Sequence, residues 1–257
     1  MGRESNNLIM SKIFRKIRQN LLLENKTTKY LKYAIGEIVL VVIGILIALA
    51  INNYSEREKE HLKEQAFLKE INLDFKSNKA QLDSIISINK VSLHAGERLS
   101  EILKLFDFKN PKRNESNAQV ADSISFYLDL VWKNKSFNPK NGTVEALLNS
   151  SSFDLITNDT LRRNLISWKD VLGDYLEEEK FAVNFIVNEH GPWARKIFEP
   201  DLDNDPESTK ALFSKRHRNF IYQRCGDLKN SIDAVKDEGV IDMINNIIRL
   251  TEPKNND

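Results

Sequence analysis

The stretch "YAIGEIVLVVIGILIALAINNYSE", residues 33–56, decides most of what this chain can be. From Tyr33 to Ile51 it is apolar apart from Glu37. Nineteen residues rising about 1.5 Å each cover about 28 Å, close to the ~30 Å hydrocarbon core of a bilayer. A core helix of a soluble domain would be shorter and would keep a polar face. A cleaved signal sequence is the other rival, because Ala48-Leu49-Ala50 looks like a cleavage site. That run, however, would end far beyond the roughly 15–30 residues of a signal peptide. The expectation is an uncleaved transmembrane helix over 33–51.

Charge gives the orientation. Residues 12–32 carry seven Lys/Arg, whereas 52–71 carry only Arg57, Lys59, Lys63 and Lys69. The basic excess belongs on the cytoplasmic side, so the N-terminus is expected in the cytoplasm of a bacterium. The C-terminal domain would then lie in the periplasm, beyond the inner membrane. The net charge of +1 hides this segregation: residues 1–51 hold eight basic and three acidic side chains, and the remaining 206 hold 30 and 34. No basic stripe persists downstream, which argues against a nucleic-acid partner. Cys225 is the sole cysteine, so neither an intramolecular disulfide nor a Cys-based zinc site can form.

Glu37 lies about 6 Å inside the apolar boundary, where a carboxylate costs less than the ~2.5–3.5 kcal/mol of the bilayer centre. Ala34, Glu37, Val41, Gly44 and Ala48 step by three and four and share one helix face. Gly44-x-x-x-Ala48 permits close helix approach, so Glu37, Gly44 and Ala48 are candidates for helix association in the membrane. A carboxylate snorkelling to the headgroups is the bland alternative. A proton relay is disfavoured, because no second carboxylate or histidine accompanies Glu37 in the run.

The flanking segments follow from pattern. Residues 1–32 read as a cytoplasmic tail, with Met10 a candidate start and no myristoylation motif, since Asn6 replaces the needed Ser or Thr. Within it "SKIFRKIRQNLLLEN" is a basic amphipathic helix whose Arg15, Lys16 and Arg18 suit an anionic lipid surface. Residues 52–110 read as a long membrane-proximal helix, with Leu68, Ile71, Phe75, Leu82, Ile85 or Ile86, Leu93, Leu99, Leu103 and Phe106 at helical spacing. A break or bend is expected near Ser77–Asn78 or Gly96, and a stop at Asn110-Pro111.

Residues 111–257 read as a helical bundle. "QVADSISFYLDLVWK" fits both strand and helix periods, and it reads as helix because no second strand offers itself as a partner. A short helix follows around 143–150. Asn158 or Asp159 can cap a long helix containing Leu161, Leu165, Trp168 and Leu172, with its end expected at Gly191-Pro192. A last helical region spans about 208–250, with an interruption expected near Gly226. The fold class is all-α: one N-terminal transmembrane helix, then an extracytoplasmic bundle with a long first helix.

Tests for chemistry come out empty. Asp201, Asp203 and Asp205 open like a calcium loop, but Pro206 and Leu212 stand where Gly and Glu are required. His61, His94, His190 and His217 match no zinc spacing, and His190 reads as a helix-end or core histidine. Glu177, Glu178 and Glu179 point about 100° apart in turn and read as a solvated face. No catalytic, metal or cofactor-binding residue is assigned.

Two stretches carry a resemblance. "IFRKIRQNLLLENKTTKYLKYAIGEIVLVVIGILIALAINNYSE" resembles the N-terminal anchor of a group of small Bacteroidota single-pass membrane proteins, a domain of unknown function. "TVEALLNSSSFDLITNDTLRRNLISWKDVLGDYLEEE" is similar to their central helix–turn–helix segment, although Ser150-Ser151-Ser152 stand where a Gly is usual. The resemblance implies membrane attachment and transfers no catalytic residue. The leading expectation is a non-enzymatic membrane-anchored interaction, sensory or scaffold module. Its partners would be the lipid bilayer and a membrane or periplasmic protein, or a second copy. The rivals are an accessory subunit of a transport or motor complex using Glu37, and an extracytoplasmic enzyme whose residues converge only in three dimensions.

Overall fold

The computed structural model describes residues 27–105, 117–198 and 206–253. Among them every element is helical, and the chain divides after Leu62 into two units. The expected lipid-surface residues Arg15, Lys16 and Arg18, the candidate start Met10, the Asn110-Pro111 stop and Asp201, Asp203 and Asp205 lie outside the described residues.

Helix α1 runs Thr27–Leu105 and contributes to both units. In the first unit its large apolar side chains from Leu31 to Ile51 stay exposed on every side; Leu40 is 68% exposed and Ile43 46%. A core helix would bury one stripe. This one is long and apolar enough to cross a membrane and has none of that segment buried.

In the second unit α1 is the spine of a bundle. Its inward side chains follow a strict four–three alternation: Glu64, Leu68, Ile71, Phe75, Asn78, Leu82, Ile85, Asn89, Ser92, Gly96, Leu99 and Leu103. That average of 3.5 residues keeps one seam facing its neighbours. No break occurs there: α1 is continuous through both Ser77–Asn78 and Gly96. The positions that interrupt the apolar stripe are themselves buried. A Cβ built on Gly96 would sit 2.5 Å from Cys225 Sγ and 3.1 Å from a Val131 methyl, so this glycine serves close approach rather than bending.

The remaining helices are α2 (Asn117–Val131), α3 (Gly142–Leu148), a 3₁₀ turn (Ser151–Leu155), α4 (Asp159–Asn184), α5 (Gly191–Ile197), α6 (Pro206–Leu212), α7 (Lys215–Asp237) and α8 (Val240–Leu250). The ambiguous segment is therefore helix. Asn158 caps α4 by accepting from the Leu161 amide at 3.0 Å, and Ser214 caps α7 by accepting from His217 at 3.1 Å. The expected end at Gly191-Pro192 is overturned. A wide π turn over Phe185–His190 joins α4 to α5, and Pro192 sits in the first turn of α5, where a missing N–H costs nothing. The expected interruption at Gly226 moves to Gly239, whose φ of +71° separates α7 from α8.

Two apolar clusters fill the bundle. The larger joins Ile71, Phe75, Leu82 and Ile85 to α3, α4 and α8, with Trp168 edge-on to Phe75 at 5.0 Å. The smaller joins Ala95, Leu99 and Leu103 to Ile124 and Val131 on α2 and Ile221 on α7. Along α1 the buried Asn89 and Ser92 fall between the two sets.

Candidate functional site

Polar side chains along the α1 seam answer the backbone groups that helix ends and loops leave unpaired. Glu64 accepts from the Thr157 amide at 2.7 Å and the Thr157 hydroxyl at 2.8 Å, just before the cap of α4. Asn72 donates to the Ile248 carbonyl and to Thr251 Oγ1, both at 3.0 Å, closing the C-terminus of α8. Ser92 donates to the Leu130 carbonyl at 2.9 Å at the end of α2.

Between α2 and α3 the chain runs antiparallel along α1 as a strap. Lys135 Nζ meets Ser84 Oγ at 3.3 Å, and Gln81 Oε1 takes the Asn138 amide at 3.1 Å. Asn78 accepts from the Lys140 amide at 2.7 Å and donates to its carbonyl at 3.0 Å. Thr143 donates to Asp74 at 2.6 Å. From the other side Glu179 takes the Phe137 amide with both oxygens, at 2.9 and 3.1 Å. Glu179 thus corrects the solvated-face reading of 177–179: it is 7% exposed, and burial holds its carboxyl above the usual range against the opposing pull of Phe137. Its neighbour Glu177 is exposed, as expected.

The end of α2 carries the other concentration of unusual groups. Arg224 of α7 is fully buried; its Nε donates to the Val131 carbonyl at 3.2 Å and its Nη2 to the Lys133 carbonyl at 2.8 Å. A cation there also suits the negative end of the helix dipole. Burial lowers the guanidinium to about 10 against the opposing influence of Asp227 and Cys225, so it stays charged at neutral pH. Its Nη1 and Asp227 Oδ2 are buried without a hydrogen-bond partner among the described residues.

Beside Arg224 the fold assembles rings that are distant in sequence. Trp132 stacks on His190 at 3.4 Å between centroids, 11° from parallel. Trp193 stacks on His217 at 5.3 Å, and Phe220 meets His190 and Trp193 edge-on at 5.8 and 5.2 Å. His190 and His217 lie 6.3 Å apart, and His217 Nδ1 is hydrogen-bonded to the Leu212 carbonyl at 2.6 Å. Burial, with His217 and Arg224 nearby, holds His190 down at about 4. Burial lowers His217 too, opposed by its bond to Leu212. The core reading of His190 fits this position. Its pairing with His217 has no signature in sequence spacing, because the π turn and the α6–α7 corner create it.

His61 and His94 are exposed, and no group of three His, Cys, Asp or Glu suited to a metal occurs among the described residues. A surface groove between α1 and α7 is lined by Leu93, Glu97, Tyr222, Cys225 and Lys229, among others, and burial raises the Cys225 thiol to about 11, away from nucleophilic character. In the first unit Glu37 is half-buried, and Gly44 and Ala48 are exposed, with nothing within 4 Å of where a Gly44 Cβ would stand.

A model of a family of unknown function, DUF6090, matches residues 37–165, just over half of the chain. The chain belongs to the DUF6090 family. No curated protein and no solved structure matches it. In this DUF6090 chain the matched residues hold Glu37, Gly44, Ala48, Glu64 with Thr157, and all four α1 contacts of the strap. His190, His217, Arg224 and Glu179 lie beyond the match, although Trp132 falls within it. What the family model covers is therefore most of the apolar run, the spine, the strap and the first turns of α4.

Proposed function

We propose that this DUF6090 chain is a single-pass membrane-anchored helical module, non-enzymatic, whose bundle engages a partner protein. One observation carries the anchoring: the apolar shell of α1 from Leu31 to Ile51 is exposed around its whole circumference, and water is a poor solvent for it. The seven Lys/Arg of residues 12–32 favour a cytoplasmic N-terminus and an extracytoplasmic bundle at a bacterial inner membrane. The non-enzymatic reading rests on how the buried polar groups are used. Glu64, Asn72, Asn78, Ser92 and Arg224 each hold a backbone group in place, which supports a structural role for them.

The test is fractionation of cells expressing the intact chain, followed by crosslinking in native membranes. The chain should resist alkaline extraction, a periplasm-active reporter at its C-terminus should be active, and a discrete crosslinked partner or dimer should appear. Release into the soluble fraction defeats the anchor, a reporter active only in the cytoplasm defeats the orientation, and a chain that crosslinks to nothing defeats the partner.

A further inference from the structure

The histidine–tryptophan cluster joins a π turn and a short helix to the start of α7 and the end of α2. His190 ends the π turn and Trp193 belongs to α5, a helix of seven residues. His217 lies in the first turn of α7, and Trp132 follows the last turn of α2. Trp193 is 9% exposed, His190 8% and His217 1%, so the rings meet in a nearly dry interior. An imidazolium formed there loses most of its hydration.

The surrounding charges do not compensate it. Among the described residues, α7 contributes Arg224, a buried cation, and Arg216, whose guanidinium covers Phe220 at 5.4 Å. From α2 the facing group is the Trp132 indole, while Lys133 and Asp129 pair with each other at the surface at 3.0 Å. From α5 it is Trp193, with Arg195 exposed beside Gly191, and Glu189 next to His190 is also exposed. From α6 it is the Leu212 carbonyl. Stacking on Trp132 favours a cation, but burial beside Arg224 and a second imidazole opposes it and prevails.

We infer that His190 and His217 form an acid-released latch: neutral, they clasp α5 and the α6–α7 corner onto the end of α2, and protonation undocks them. With His190 at about 4 when folded and 6.5 as its ordinary value, the unfolded or undocked state binds the proton first. The latch is closed above pH 6.5 and loosens as pH falls toward 4. Between pH 7 and pH 5 this one group should lower the docking equilibrium on the order of 20-fold.

The test is hydrogen exchange on the full chain in detergent at pH 7 and pH 5, corrected for intrinsic rates, with His190→Phe as the variant. Phenylalanine keeps a flat ring against Trp132 and cannot take a proton. Protection over 185–198 and 206–220 should fall about 20-fold on acidification while 71–85 and 240–248 hold, and His190→Phe should abolish most of that loss. Uniform loss along the chain, or the same loss in His190→Phe, overturns the latch. Should the variant fail to fold, proton titration of the wild-type imidazoles by NMR decides: titration below about pH 5 supports the latch, and titration near 6.5 overturns it.

Discussion

Replacing Gly96 with alanine tests whether the α1 seam is set by contact with α7 and α2. In an open helix the change should stabilise, because alanine is favoured over glycine by about 0.8–1.0 kcal/mol. Here the new methyl would fall 2.5 Å from Cys225 Sγ and 3.1 Å from Val131 Cγ2, closer than packed atoms tolerate. Overpacking of this kind costs about 1–3 kcal/mol, so Gly96→Ala should be neutral to destabilising by about 2 kcal/mol. Gly173 on α4 is the internal control, since nothing lies within 4 Å of its built Cβ. Gly173→Ala should gain nearly the full propensity term. Cys225→Ala removes the sulfur that makes the closer contact, so Gly96→Ala in that background should recover about 1 kcal/mol relative to wild type. Urea unfolding of the intact chain in detergent, followed by circular dichroism, reads all four variants. The reasoning fails if Gly96→Ala stabilises as much as Gly173→Ala, or if Cys225→Ala leaves the Gly96 effect unchanged.

Glu64→Ala should destabilise by about 1.5–3 kcal/mol, the worth of hydrogen bonds to a charged acceptor, and speed proteolysis around Thr157. Arg224→Met strips two hydrogen bonds from the end of α2 and should lower the melting temperature by several degrees, measured by differential scanning fluorimetry, at about 2–4 °C per kcal/mol. Gly239→Ala places a side chain at φ +71° and should cost about 1 kcal/mol in the same assay. Glu179 gives a pH signature opposite to that of His190. Its raised carboxyl contributes stability at low pH that is lost as pH climbs above 4.5 through the raised value, so Glu179→Gln should flatten that decline in urea midpoints between pH 4 and 7.

Most of the architecture was legible because helical periodicity and capping residues report local physics. The apolar run and the Asn158 cap follow from residues within a few turns of one another, whereas the segment of α2 fits two periods and is decided only by the lack of a strand to pair with. The misreadings share one cause. Ser77–Asn78 and Gly96 looked like breaks in α1, since an unbroken helix of that length is unusual. Each instead meets a group distant in sequence, the Lys140 backbone in one case and Cys225 in the other. Glu179 looked solvated for the same reason, its partner being the amide of Phe137. Gly191-Pro192 read as a stop because the π turn that lets the proline enter a fresh helix leaves no mark in composition. The pairing of His190 with His217 was likewise invisible, as it depends on two corners turning toward each other.

The strap along α1 has a consequence for how this molecule can move. Its contacts at Asp74, Asn78, Gln81 and Ser84 lie on one side of the helix at intervals of three and four residues. A slip of one residue carries each of them about 1.5 Å along and about 100° around the axis, out of reach of its partner. The contacts therefore cannot be traded one at a time. Like a key's teeth in a lock, they fit a single rotational setting.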